Sequence, residues 1–450
     1  MFKSPLFFKI ATLIGCVGLL LVPLMMVSDL VVERASYRSL VEDSLRQSTS
    51  GPQKLIGPLI AIPVNEIYTV VEDDKNVLRK RSYFRYWLPE SLTVEGQQNV
   101  ESREIGIYEG QIWHSALTVK AQFDRSKLDA LTQAEENVTL GEPFLVMSVG
   151  DSRGIGVVEA PQLNGMPAMV EPGSGLYSNL PGLHMPLSPA MLDAKTLSLS
   201  MTLNLNGTGS FSVVPIGRNS ELALTSNWPH PGFLGDFLPV QREITDKGFN
   251  ARWQSSWFAT DLGSQFDRDY RVDWDALPAF KVSVATPADQ YQLTDRAIKY
   301  AILLIALTFM AFFVFETLTA LRLHPMQYLL VGLSLVMFYL VLLALSEHIG
   351  FTGAWITASL TGAFINGIYL QAVLKGWRNS LLFTAALLAL DGVMWVLLRS
   401  EDSALLLGTG VLLVALCAVM FLTRHFDWYS LSKPKAKPAV PEGDELRVWK

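Results

Sequence analysis

Six stretches of about 20 mostly apolar residues, each long enough to cross a bilayer core as a helix, constrain this chain more than anything else in it. The first covers 10–27, and five more follow at 297–320, 326–345, 350–374, 379–398 and 403–423. Connections of a few residues join the last five, so each helix must run antiparallel to its predecessor. No small-x-small cleavage site follows the first run. Val27-Ser28-Asp29 leads straight into charged sequence, which reads as an uncleaved signal anchor.

Lysine and arginine near the span ends set the orientation. Lys3, Lys9, Arg322, Lys375, Arg378 and Arg424 fall on one side, whereas the other side has Glu347 in one short loop and Arg399 with Glu401 and Asp402 in the next. The expected layout has 1–9 in the cytoplasm, a first span at 10–27 and an outer domain at 28–296. A five-helix block at 297–423 and a cytoplasmic tail at 424–450 complete it. The tail is polar and proline-rich from Lys433-Pro434 onward, a composition that favours disorder.

Charge separates the same regions. Residues 28–296 carry a net −10 and the remainder a net +4, so the outer domain is acidic and a poor match for nucleic acid or anionic headgroups. Both cysteines, Cys16 and Cys417, lie within apolar runs. The outer domain therefore has no disulfide, thiolate metal site or cysteine nucleophile, and its size allows a hydrophobic core to hold it.

Beyond the first span, 28–47 keeps helical spacing, with Tyr37, Leu40, Val41 and Leu45 on one face; a stalk is expected to end before Ser48-Thr49-Ser50-Gly51-Pro52. After Pro52 the pattern turns to strand. Segments 55–64, 67–71 and 83–88 are apolar, β-branched or aromatic, and Ile105, Ile107, Ile112, Leu117 and Val119 alternate with polar neighbours. Leu197, Leu199, Met201, Leu203 and Leu205 alternate strictly, the period of a half-buried strand. Asn164-Gly165 and Asn206-Gly207 read as hairpin turns, and 124–136 as one short helix capped by Asp124 with Leu128 and Leu131 inward. The fold class is thus an integral membrane α-helical protein with six transmembrane helices and a large, mainly antiparallel β domain, 52–296, built as a sandwich or a pair of packed sheets.

Few residues suggest chemistry. Gly150-Asp151-Ser152 resembles the nucleophile segment of one esterase class, but no strand-to-helix elbow or downstream Asp-x-x-His accompanies it, which favours a β-turn. His114, His184 and His230 are far apart in sequence, without metal-ligand spacing. The glycine-rich 150–156 lacks the Gly-Lys-Ser/Thr of a phosphate loop. No catalytic residue, cofactor or metal is expected, and the chain reads as a non-enzyme.

Two features remain as candidates. Trp228, His230 and Phe233, in a loop stiffened by Pro229 and Pro231, together with Trp253 and Trp257, could form a platform for a glycan or protein partner; as aromatics of a β domain they serve more often as core filling. Inside the membrane block, Asp391 lies just past the middle of its span, where a carboxylate is costly unless neutral, paired or hydrated. It could serve a proton relay or ion-coupled site with Asn366 or Gln371, or simply fix helix packing. Glu316 is the second intramembrane acid, close enough to the span end to reach the interface. The absence of an inverted repeat weakens a transporter reading.

Several long segments resemble the CreD family of inner-membrane proteins, also called cell envelope integrity proteins. They include Gln47-Ser48-Thr49-Ser50-Gly51-Pro52-Gln53-Lys54, Gly57-Pro58-Leu59-Ile60-Ala61-Ile62-Pro63-Val64 and Ser226-Asn227-Trp228-Pro229-His230-Pro231. Ala285-Thr286-Pro287-Ala288-Asp289-Gln290-Tyr291, Phe313 to Leu318 with His324-Pro325, and the terminal Arg447-Val448-Trp449-Lys450 match as well. The resemblance implies a Gram-negative inner membrane, a periplasmic location for the β domain and expression under a two-component system. It brings no catalytic residues. The leading expectation is a membrane protein supporting envelope integrity, whose β domain contacts a periplasmic or outer-membrane protein or a glycan. The alternative is a proton-coupled transporter or channel in the C-terminal helices.

Overall fold

The computed structural model describes residues 5–72, 75–133, 135, 137–267, 272–284, 289–319, 323–373, 376–400 and 404–424. The tail from Lys433, the terminal Arg447-Val448-Trp449-Lys450, and the charges Lys3, Arg322, Lys375, Glu401 and Asp402 lie outside the described residues. The chain divides into two compact units, Met1–Tyr37 with Ala288–Lys450, and Arg38–Pro287.

One continuous helix, Pro5–Ser48, contains both the first apolar run and the expected stalk. Its 44 residues make it roughly 66 Å long at 1.5 Å per residue, about twice a hydrocarbon core. Of the stalk face read from sequence, Leu45 is buried while Tyr37 and Leu40 stay exposed. The helix stops where expected: the Thr49 N–H donates to the Leu45 carbonyl and the chain turns at Ser50 into strand.

The β unit consists of two nine-stranded sheets. At the centre of one is Gln53–Glu72, flanked by Phe144–Ser148 and Lys75–Trp87 in antiparallel pairing and by Ser210–Val213 in parallel. The other is organised on Ser91–Ile105, Tyr108–Asp124 and Thr196–Thr208, with Asn219–Ser226 joining Ser91–Ile105 in parallel. Among the described residues these two ladders are parallel and the other named ladders antiparallel. A shared apolar core lies between the sheets, and rings cross it: Trp113 meets Phe211 edge-on at 5.6 Å, and Phe233 meets Trp253 at 5.6 Å.

The strict alternation in Thr196–Thr208 places Leu197, Leu199, Met201, Leu203 and Leu205 in that core. Each such side chain contributes about 1.5–3 kcal/mol when withdrawn from water. Asn164-Gly165 forms the expected two-residue turn between Gln162–Leu163 and Met166–Pro167, both residues having positive φ.

Three readings need correction. Asn206-Gly207 is no turn: it stays in the ladder opposite His114 and Trp113, and the chain leaves that sheet for the other at Gly209, φ +69°. The glycine is there for space, because a Cβ at 207 would lie 2.4 Å from the Trp113 ring. Ile107 is not a strand residue, since Gly106-Ile107 makes the turn between Ser91–Ile105 and Tyr108–Asp124. The short helix spans only Arg125–Leu131, although Asp124 does cap it through Ser126 N–H. It ends where Arg85 donates to the Leu131 carbonyl at 2.9 Å, and the residues that follow, Thr132-Gln133-Ala134-Glu135, offer no large apolar side chain to bury. Glu136 lies outside the described residues.

Among the described residues four helices are long and apolar enough to cross a bilayer: Phe7–Ser48, Pro325–Val373, Trp377–Arg399 and Leu406–Thr423. A fifth candidate is the pair Gln290–Lys299 and Ala301–Thr317, bent by 42°. The 49-residue Pro325–Val373 is broken at Gly350, whose φ of 72° and ψ of 164° belong to a region essentially reserved for glycine. Helix Ala404–Thr423 exposes Leu406, Leu413, Val414, Met420 and Phe421, an apolar surface that suits lipid tails and not water.

Candidate functional site

The two intramembrane acids are both buried, and their surroundings differ. Glu316 is 6% exposed and fully engaged. It forms an ion pair with Lys9, accepts the Tyr328 hydroxyl at 2.9 Å on Oε2 and accepts the Leu323 N–H at 3.1 Å on Oε1. The Lys9 ammonium also lies over the Phe313 ring at 5.6 Å. Glu316 therefore ties together three chain segments of the unit. Nothing local announced this, because Lys9 is about 300 residues away in sequence.

Asp391, on Trp377–Arg399, is 9% exposed. Its polar neighbours are Ser359, on the segment after Gly350, and Tyr339, on the segment before it. Ser359 lies beside the carboxylate, and the Tyr339 hydroxyl has no hydrogen-bond partner among the described residues. Asn366 is occupied elsewhere, accepting from Ser334 at 3.0 Å and donating to the Gly362 carbonyl at 2.9 Å. Gln371 is exposed.

The aromatic candidates separate by burial. Trp253 is fully buried and packs on Phe233 and Phe280, so it is core filling and presents no surface to a partner. Phe233 is half-buried against Phe249 and Trp253. Trp228 is also half-buried, its indole N–H donating to the His230 carbonyl at 3.0 Å, and the His230 ring is exposed. The cations of Lys127 and Arg218 each lie over the Trp257 ring, at 5.1 and 5.5 Å, and the neighbouring Phe258 is 95% exposed.

Sequence reasoning missed what lies just past the loop. Pro231–Gly235 is the last strand of one sheet and Gln241–Thr245 the last strand of the other. Among the described residues two open edges therefore follow one another in the chain; Leu234 and Ile244 are exposed on them, and Leu238 and Val240 are exposed in the segment that joins them. Exposed apolar edge strands are uncommon unless something covers them. The signal in the sequence was the apolar Phe237-Leu238-Pro239-Val240, which lacks strand periodicity. A separate polar groove on the second sheet is lined by Gln97, Asn99, His114, Asn204, Asn206 and Asn227.

Asp151 and the histidines have structural partners. Asp151 accepts from Gly51 N–H and Arg153, and Arg153 also donates to the Arg46 and Gln47 carbonyls that end the long helix. Ser152 opens the 3-10 turn Ser152–Gly154. His114 contacts Asn206 at 2.8 Å and His184 the Gly173 carbonyl at 2.8 Å. Among the described residues no three His, Cys, Asp or Glu side chains gather as metal ligands.

The Arg153 hydrogen bonds, against a smaller opposing effect of burial, hold the Asp151 carboxyl down at about 2. A lowered folded-state value means stability that is complete above the unfolded value near 4 and lost as pH falls through about 2. Asp151→Asn should therefore flatten the stability profile of the full chain between about pH 4 and 2, as read by thermal melting across that window. An unchanged slope would remove Asp151 from the junction.

Bilayer-crossing helices joined to a two-sheet β unit define a multi-pass membrane protein with a large non-membrane domain. The CreD family model, described as inner membrane protein CreD, matches residues 5–429. The chain is also 67% identical, over 452 aligned residues and 100% of both chains, to inner membrane protein CreD of Escherichia coli (strain K12). The chain belongs to the CreD family of inner membrane proteins. A crystal structure of a candidate protease from Parabacteroides distasonis aligns over 51% of this chain and 50% of its own. Its 9% identity and TM-score of 0.23 are too low to indicate a common fold.

Proposed function

We propose that this chain supports cell envelope integrity from the inner membrane as part of a two-component-regulated response, without catalysing a reaction. Its β unit acts in the periplasm as a binding module for an envelope protein or glycan. The observation that carries the binding role is the pair of open sheet edges and the segment joining them, with Leu234, Leu238, Val240 and Ile244 exposed beside the Trp228–His230 loop. The envelope and regulatory roles rest on family membership.

The topology proposed with it has six spans and both termini in the cytoplasm. Support comes from Gly350: 49 unbroken residues would extend roughly 74 Å, far beyond one core of about 30 Å, and the break yields two segments of spanning length. The basic residues Lys9, Arg378 and Arg424 then share one side.

The test is photo-cross-linking in cells from position 238, with position 228 as a second site. A discrete adduct with a periplasmic or outer-membrane protein or glycan is expected. Leu238→Asp with Val240→Asp should abolish both the adduct and envelope support at unchanged chain level. Adducts with lipid alone, or full envelope support in the double variant, would sink this reading.

A further inference from the structure

The polar groove on the second sheet is built from two neighbouring rows of outward-facing side chains. Gln97, Ala116 and Asn204 form one row across three adjacent strands, and Asn99, His114 and Asn206 form the next, extended by Asn227. Ala116 is the one short side chain of its row, so the longer amides on either side wall a depression of about 410 Å³, the size of a small-molecule site. No Lys, Arg, Asp or Glu lines it, although the unit around it is rich in charge. Its amides are also held in place. Asn227 donates to the Asn99 amide oxygen at 2.6 Å and accepts the Val100 N–H at 2.7 Å. The His114 Nδ1 lies 2.8 Å from the Asn206 amide oxygen. In that pairing Nδ1 carries the hydrogen, which leaves Nε2 as an acceptor in the uncharged ring.

We infer that this groove is a binding site for an uncharged oligosaccharide. The other ligand classes lack what they need here. A phosphate or carboxylate ligand finds no Lys or Arg to pair with, and a cation finds no carboxylate. An extended peptide cannot add as a strand, because Ser91–Ile105 and Tyr108–Asp124 are each paired on both sides and their backbone groups are spent in the ladders. An acyl chain finds no large apolar side chain. A neutral sugar is the match. Each side-chain amide offers two donors and an acceptor, and each hydroxyl a donor with acceptor lone pairs, so Gln97, Asn99, Asn204 and Asn206 suit vicinal hydroxyl pairs. The Ala116 methyl gives the apolar face of a ring somewhere to rest. Amides already tied to one another lose little rotamer freedom when a ligand arrives, which lowers the cost of binding. The site is separate from the open sheet edges and stands whether or not those edges hold a partner.

The experiment uses the full chain in nanodiscs and diethyl pyrocarbonate, which acylates unprotonated imidazole. Peptide mapping follows the rate at the exposed His114 separately from His184 and His230. The probes are cellotetraose, maltotetraose and chitotetraose, with tetragalacturonate as the anionic control. At least one neutral tetrasaccharide should protect His114 with a saturable midpoint. At ten times that midpoint the rate should fall about tenfold by mass action, with His184 and His230 unaffected. Gln97→Ala and Asn204→Ala, both at exposed positions that leave the core untouched, should each weaken protection by at least fivefold. Failure of all three neutral sugars to protect His114 up to their solubility would overturn the proposal. Equal protection by tetragalacturonate, or protection unchanged in both variants, would overturn it too. Protection at His230 in place of His114 would move the sugar to the Trp228–His230 loop and end the case for the groove, whereas failure of the cross-linking test at the edges would leave it intact.

Discussion

Glu316→Ala should destabilise the membrane unit by about 3 kcal/mol, at the lower end for breaking a buried ion pair because Lys9 keeps some access to solvent. The substitution strands the Lys9 ammonium beside Phe313, and it leaves the Tyr328 hydroxyl and the Leu323 N–H without acceptors. Glu316→Gln should fall between the two, since one amide oxygen replaces two carboxylate oxygens and the charge is lost. Replacing both partners, as Lys9→Met with Glu316→Leu, should recover much of the loss, because the cost lies in the unpaired survivor. Thermal unfolding of the full chain in nanodiscs measures all three. Wild-type melting in Glu316→Ala would show that the ion pair contributes nothing.

Trp113→Ala should cost the β unit about 3–5 kcal/mol, as expected for removing a fully buried large aromatic. Its ring packs edge-on against Phe211 from the opposite sheet and fills the space left by Gly207. The indole N–H has no hydrogen-bond partner, so Trp113→Phe removes an orphaned donor together with some volume and should cost much less. Urea unfolding followed by the β-sheet circular dichroism signal separates the two variants. Equal losses would mean that the indole is held by a contact other than packing.

The sequence was most legible where structure is encoded by local periodicity. Leu197 to Leu205 announced both a strand and its buried face, and the apolar runs announced bilayer-crossing helices. Asn164-Gly165 was readable because a two-residue turn needs positive φ at both positions. Asn206-Gly207, the same dipeptide, was misread because its glycine answers to Trp113 on the neighbouring strand. Glu316 was opaque for a related reason: the partner that defines it, Lys9, is distant in sequence. The open edges left only the apolar run 237–240 as a local trace, because the end of a sheet is a property of strand order, which no single segment carries.

Those two edges have a consequence for anyone handling the β unit. Unpaired backbone donors and acceptors flanked by Leu234, Leu238, Val240 and Ile244 are a template that another chain can extend. At high concentration the cheapest such chain is a second molecule of the same kind. Strand-to-strand oligomers growing from 231–245 would then compete with any authentic ligand, and a charged substitution at Leu238 would improve solubility while silencing the very contact under study. Aggregation behaviour and recognition are, at this edge, the same chemistry seen under different dilution.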